Sequence, residues 1–409
     1  MGAAASKTFA ALSVYNFRLY TIGQLISISG TWMQGIAQSW LVLKLTDSAV
    51  DLGLVVALSF LPMLIAGPYG GLVVDRMNKR TLLMVTQACA GTLALLLGLL
   101  VTFGSPNVYE VYAFAFALGL VNLFDMPARQ AFVQEMVGRD LLPNAVSLNS
   151  VLVNAGRIVG PAIGGLVIAA FGIGTCFLIN AGTFVAVIVA LAAMKTAELL
   201  PIQRVDREKG QVRAGLLYAA RHPEIRAVLI AVAIIGVFAF NYNVTLALMV
   251  KKTFHGDAAL LGWLSSVVGI GAVIGGLLVA HRGRPTIRLL TVISLGFTGS
   301  IWFVAIAPNE FVVFLAMVPL GATSIAFIAT ANASLQLATE EKMRGRVMSL
   351  YTLGFLGTTP VGAPLVGWLA ASFGPRVAIA TGGVATLLAA VLLARSPREP
   401  EAEERIALG

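Results

Sequence analysis

Three ionisable side chains, Asp125, Arg129 and Arg157, fall inside stretches otherwise dominated by apolar residues. A charge embedded in such a stretch is costly, so each is a functional hypothesis by default. Asp125 lies ~15 residues before the middle of the loop that follows it, and Arg157 ~17 after, so at 1.5 Å per residue the two reach similar depth and can pair across the hairpin. Asp125 can equally pair with Arg129 four residues on, and Arg129 is also within reach of Asp75. The chemistry expected is an intramembrane charge network, either a gate that holds one state or a static ion cluster. Asp125 is the only acid clearly inside a span, which makes it the candidate for ion coupling. A carboxylate beside two arginines suits a gate better than a proton carrier.

Neutral polar residues form stripes at helical spacing, and residues three or four apart share a helix face. Gln24, Ser27, Thr31, Gln34 and Gln38 lie along one segment; Ser147, Ser150, Asn154 and Arg157 along another. Asn122 accompanies Asp125 and Arg129, and Asn241 accompanies Thr245. Such stripes line a wet cavity, or they hold helices together and bond their own backbone. His222, His255 and His281 fall in loops, and Cys89 and Cys176 in apolar runs. No metal, cofactor or nucleophile constellation is expected, and enzymatic catalysis is not.

These groups need elements that hold them in an apolar medium. Hydrophobic residues make up 58% of 409 positions and charged residues 11%, against roughly 25% charged in soluble domains. Spanning a bilayer takes ~20 apolar residues as a helix. The chain divides into twelve such segments, near 17–44, 50–74, 81–103, 108–129, 143–171, 173–194, 225–250, 258–280, 286–307, 310–336, 346–372 and 376–394. Between the sixth and seventh runs a polar linker, with RVDREKGQVR at its heart and one interfacial helix expected. Of the 28 Lys and Arg, only Lys44, Lys251, Lys252 and Arg376 fall in the alternate loops, and Arg157 lies within a span. By the positive-inside rule both termini face the cytoplasm. The net charge of +9 follows from this topology and requires no nucleic-acid partner. The opening Met1-Gly2-Ala3-Ala4-Ala5-Ser6 fits a loose myristoylation pattern, but a polytopic chain needs no such anchor.

The sequence also repeats. A shift of 202 lays Gly119 on Gly321, Ser147-Leu148 on Ser349-Leu350, Gly160 on Gly362, Gly165 on Gly367 and Phe171-Gly172 on Phe373-Gly374; a shift of 205 lays Gly71 on Gly276. The expected fold is an all-α membrane protein of two pseudo-twofold-related six-helix bundles. Its parts are 1–195, a linker 196–222, 223–395 and a cytoplasmic acidic tail 396–409. An internal repeat of this kind points to a transporter with a midplane site. Under the same register Asp125 maps to Phe327, Arg129 to Ala331, Arg157 to Thr359 and, at 205, Asp75 to Ala280. Any charge-borne switching is therefore assigned to the first half.

Two motifs carry a family likeness. The loop Gly71-Leu-Val-Val-Asp75-Arg76-Met-Asn78-Lys79-Arg80 resembles the GxLaDRxGRK/R loop of the major facilitator superfamily, with Asn78 where Gly is commonest. Gly156-Arg157-Ile-Val-Gly160-Pro161-Ala-Ile-Gly164-Gly165 resembles the GxxxGPxxGG helix-packing pattern of proton-driven exporters in that superfamily. The stretches 30–46, 125–137 and 343–355 are similar to the drug and siderophore exporter branch, which includes enterobactin and macrolide efflux proteins. The resemblance implies a multi-pass transporter of the bacterial inner membrane. It implies export of a small, moderately hydrophobic compound by alternating access, with protons as coupling ion and a monomeric state. An importer of a small solute, or a membrane receptor or scaffold, are the alternatives.

Overall fold

The computed structural model describes residues 9–200, 211–283 and 285–396. The myristoylation-like start, most of RVDREKGQVR and the tail beyond Ser396 lie outside them. Everything regular among the described residues is helical: α1 Tyr15–Thr46, α2 Ala49–Arg76, α3 Lys79–Phe103, α4 Val108–Phe171, α5 Ile173–Ala192, α6 Gln211–Arg221, α7 Pro223–Phe238, α8 Tyr242–Leu248, α9 Ala258–Arg282, α10 Ile287–Ile306, α11 Glu310–Ala338, α12 Glu341–Phe355, α13 Thr359–Phe373 and α14 Pro375–Ala394. Among the described residues, ten stretches are long and apolar enough to cross a membrane. Tyr15–Thr46, which carries the long polar stripe, is not among the ten.

One stretch, α4, holds 64 residues. At 1.5 Å per residue it would reach about 95 Å, three times the ~30 Å of bilayer hydrocarbon. The chain instead reverses at Gly138, whose φ of 73° and ψ of −177° are open to a residue without a Cβ. The packing on either side shows the reversal. Gly119 sits against Ser59 and Pro62 of α2, and Leu123 against Gly70, so this part runs alongside α2. Gly156 sits against Ile28 and Gly164 against Met33, so the later part runs alongside α1. Helices α1 and α2 are themselves antiparallel, joined by the tight turn at Asp47 and Ser48. The segments expected at 108–129 and 143–171 are the two limbs of α4.

Side-chain caps start the helices where the sequence places Ser, Asn, Asp or Thr. Asn107 accepts from Glu110 N at 3.0 Å while Glu110 accepts from Asn107 N at 2.8 Å. Its repeat partner Asn309 accepts from Val312 N at 3.0 Å. The α4–α5 and α13–α14 corners repeat too, at Gly172 (φ 87°) and Gly374 (φ 88°). Positive φ admits glycine there without strain.

Two expected helices are interrupted. The run 225–250 breaks between α7 and α8, where Asn241 Nδ2 donates to Val237 O at 2.6 Å. The run 346–372 breaks at residues 356–358, between α12 and α13. The breaks face each other, since Gly236 packs against Gly354 and Thr358. In the linker, where an interfacial helix is expected, the chain forms α6, whose Gly215 lies on Arg346 of α12.

Candidate functional site

Within the first half, Asp125 is held by three donors from two helices. Its Oδ1 accepts from Thr86 Oγ1 and Gln87 Nε2 of α3, each at 2.7 Å, and its Oδ2 accepts from Arg129 Nε. Asp125 is 5% exposed, and three charge-strength bonds are what a buried carboxylate requires. The i,i+4 spacing on α4 brings Arg129 onto the same face. Tyr20 of α1 faces the pair and meets Phe132 edge to face, 6.2 Å between centroids.

Arg157 does not join this cluster. Its guanidinium lies over Trp32 of α1, 5.2 Å from the ring centroid. The cross-hairpin pair with Asp125 is therefore not formed; Asp125 spends its acceptors on Arg129, Thr86 and Gln87 instead.

The glycine motif around Arg157 makes two seams. Gly156, Gly160 and Gly164, four residues apart, accept Ile28, Trp32 and Met33 of α1. Gly165 faces the other half: a Cβ there would lie 2.7 Å from Ala258 O and 2.8 Å from Ala259 Cα. Pro161 approaches Gly262, and Arg157 O lies 3.2 Å from where a Gly269 Cβ would stand. The repeat supplies a matching seam, with Gly367 against Ala49 and Gly53 against Ala363 and Pro364. Small residues let the backbones of the two halves meet.

This inter-half seam runs from the face bearing the Asp47 turn (the far face) toward the middle of the spans. At that face Lys251 Nζ reaches Asp47 at 3.0 Å and also donates to Leu43 O, while Lys252 lies 3.6 Å from Asp47. The hydrogen bond and charge of Lys251, then Lys252, hold the Asp47 carboxyl below its usual range. At the opposite face, where α1 begins and α14 ends (the termini face), Ser147 and Ser150 of α4 are exposed, as are their repeat partners Ser349 and Thr352 of α12.

The stripe on α1 divides. Gln24, Ser27 and Gln34 are buried, Gln38 is half-buried and Thr31 is exposed. Asn180 of α5 donates to Gln34 Oε1 at 2.6 Å, a tie between helices. Thr31, Ser150 and Asn154 bond their own backbones one turn back, at 2.9, 3.0 and 2.8 Å. Asn122 is half-buried beside Asp125. Asn241 is buried at the α7–α8 break, and Thr245 lines a small apolar cavity with Phe238, Tyr242 and Ile379.

In the loop motif, Gly71 and Asp75 are half-buried and Arg76 is exposed. Asn78 caps α3 by accepting from Thr81 N at 3.0 Å. Lys79 lies 3.6 Å from Glu135 of α4. Arg80 donates to Leu191 O at 2.7 Å and Ala192 O at 3.1 Å, closing the C-terminal end of α5, where carbonyls lack partners. The motif thus ties three helix ends together.

Sequence reasoning overlooked Thr86, Gln87, Trp32, Asn180 and the Asp47–Lys251 tie. Thr86 and Gln87 were visible as adjacent polar residues inside an apolar run. No signal on the chain links Trp32 to Arg157.

Antiparallel membrane-length helices, a twofold sequence repeat and buried charges near the middle define a multi-pass membrane transporter. The family model for transmembrane secretion effectors (MFS_3) matches residues 6–407, and the chain belongs to that major facilitator family. It is similar to the staphyloferrin A transporter of Staphylococcus aureus, 24% identical over 88% of this chain and 90% of that one. It is also similar to the enterobactin exporter EntS of Shigella flexneri, 25% identical over 92% and 90%. Among solved structures it shares its fold with the nucleoside transporter NupG, TM-score 0.74 at 11% identity, over 93% of this chain and 98% of that one.

Proposed function

We propose that this chain exports a small, moderately hydrophobic compound, drug-, macrolide- or siderophore-like, by alternating access in exchange for protons. Its far face is the outer face, and both termini are cytoplasmic. The two rocking bodies are 1–195 and 223–395, joined by 196–222, and the transporter works as a monomer. One observation carries the reading: the halves meet from the far face to mid-span, while paired polar positions of α4 and α12 stand exposed on the other side. That asymmetry is what one end of an alternating-access cycle requires, with closure on one side and a wetted opening on the other.

The charge cluster supplies a switch. Asp125, Arg129, Thr86 and Gln87 join α3 to α4 next to the Asp75–Arg80 loop. Breaking a buried pair by losing one partner costs roughly 3–5 kcal/mol, enough to bias two states strongly. Asp125 is the acid through which proton exchange would act. The printed roles of the staphyloferrin A transporter and the enterobactin exporter support a siderophore-like cargo. Import of a small solute is the competing reading. Counter-transport in proteoliposomes, with a proton gradient imposed in each direction, separates the two. Export predicts cargo movement against the proton flux; co-directional movement would sink it.

A further inference from the structure

Arg157 is the one charge in mid-span that the chain leaves uncompensated among the described residues. Asp125 and Arg129 cancel one another. The remaining Asp, Glu, Lys and Arg side chains of the described crossing helices lie in their end turns or near loops, and the described mid-span part of the second half carries none. Arg157 makes no hydrogen bond and no ion pair among the described residues, and its Nε is sealed from solvent without a partner. Its only contact of this kind is the face of Trp32.

Its depth is fixed by its neighbours. Arg157 O meets Gly269 near the centre of α9, and the preceding Gly156 meets Ile28 near the centre of α1. The side chain is half-buried, and its Nη nitrogens are not among the sealed ones. One turn toward the termini face stand Asn154 and then the exposed Ser150 and Ser147. A guanidinium here therefore sits at the inter-half seam, at the head of the polar path, with its donors unspent.

A ring face attracts a cation but satisfies none of its N–H donors. An arginine at this depth is expected to pair, and a planar guanidinium is built to grip two oxygens of a carboxylate-type anion. We infer that Arg157, backed by Trp32, is the recognition site for a carboxylate on the transported compound, so that the cargo is acidic rather than cationic. This rests on the transport reading and narrows it. A cationic drug entering the same seam would add a second positive charge to an uncompensated one.

The test is equilibrium binding to the purified full chain in phosphatidylcholine nanodiscs, which hold no anionic headgroup to compete. The probes are 2,3-dihydroxybenzoate and citrate as acids and tetraphenylphosphonium as cation. The expected result is that both acids bind at least about tenfold more tightly than the cation, and that Arg157→Gln weakens acid binding by about tenfold or more. Arg157→Lys, which keeps the charge without the fork, is expected to fall between. Should Arg157→Gln fail to fold, the charge preference of the native chain decides alone. Cation binding equal to or tighter than acid binding overturns the inference, as does acid binding unchanged in Arg157→Gln. Proteoliposome uptake of the same probes separates the two readings. Acid binding without uptake removes transport and leaves the site; cation uptake without acid binding removes the site and leaves transport.

Discussion

The two halves share one frame and fill it with opposite chemistry. Where the first half carries Asp125 and Arg129, the second carries Phe327 and Ala331, 1% and 0% exposed, as plain core. Where α4 runs unbroken through Arg157, the equivalent stretch breaks just before Thr359, and a second break at Asn241 packs against it. Aromatic rings fill the space around these breaks: Phe240 lies 4.9 Å from Phe355 and 5.7 Å from Phe297. Repetition evidently constrains crossings, caps and glycine corners, and leaves the interior free to diverge. On the function proposed above, the first half holds the switch and the second supplies the bendable helices that follow it.

The largest expected effect comes from removing the switch. Asp125→Asn keeps the shape but weakens the hold on Arg129, and cells expressing it at native level are expected to lose export protection entirely. The counterpart change Phe327→Leu is expected to lower stability by about 1 kcal/mol and leave transport intact. Equal effects from both would dissolve the asymmetry. Next comes Gly165→Leu, which drives a side chain into Ala258 and Ala259 across the seam. Transport by Gly165→Leu is expected to drop about tenfold or more, while Gly35→Ala, with open space around its Cβ position, stays near the native rate. A smaller effect is expected from Thr86→Val. It removes one bond to a charged acceptor, about 1.5–3 kcal/mol, and export assays should show a partial loss.

Smallest is the far-face tie. Lys251 lowers the Asp47 carboxyl from its ordinary 3.8, so the closed face gains from the tie at all pH above that value. The gain fades as pH falls through the lowered value. Far-face accessibility, read by cysteine labelling, is therefore expected to be flat in Asp47-dependent terms from pH 5 to 8. Asp47→Asn should open the face slightly at every pH in that range. A titration of access centred near neutrality that Asp47→Asn abolishes would contradict this assignment.

The frame was legible because it is written locally. Apolar length, the Asn107 and Asn309 caps, and the Gly172 and Gly374 corners each report on their own neighbourhood. The break at 239–241 was not, because no proline marks it, and hydropathy is blind to an Asn that bonds back to Val237. The break at 356–358 did carry a signal, Pro360 in the first turn of α13, inside a run whose apolar length reads as one span. The site was half legible. Spacing placed Arg129 beside Asp125, but only the rotation of α3 against α4 turns Thr86 and Gln87 toward the carboxylate. Depth alone suggested that Arg157 meets Asp125; the side chain follows its own helix face to Trp32 instead. The α1 stripe shows the same limit, since spacing put Gln34 on a face but not opposite Asn180.

The central claim is that closure at the far face is one of two states controlled from Asp125. The direct measurement is the distance distribution between spin labels at Ser105→Cys and Pro308→Cys, on exposed far-face loops of the two halves, in a chain lacking Cys89 and Cys176. Two populations are expected in the otherwise native protein, with the ratio moved by pH or by an acidic cargo, and a fixed ratio in Asp125→Asn. A single unchanging distance in both proteins, or identical shifts in both, would contradict the account.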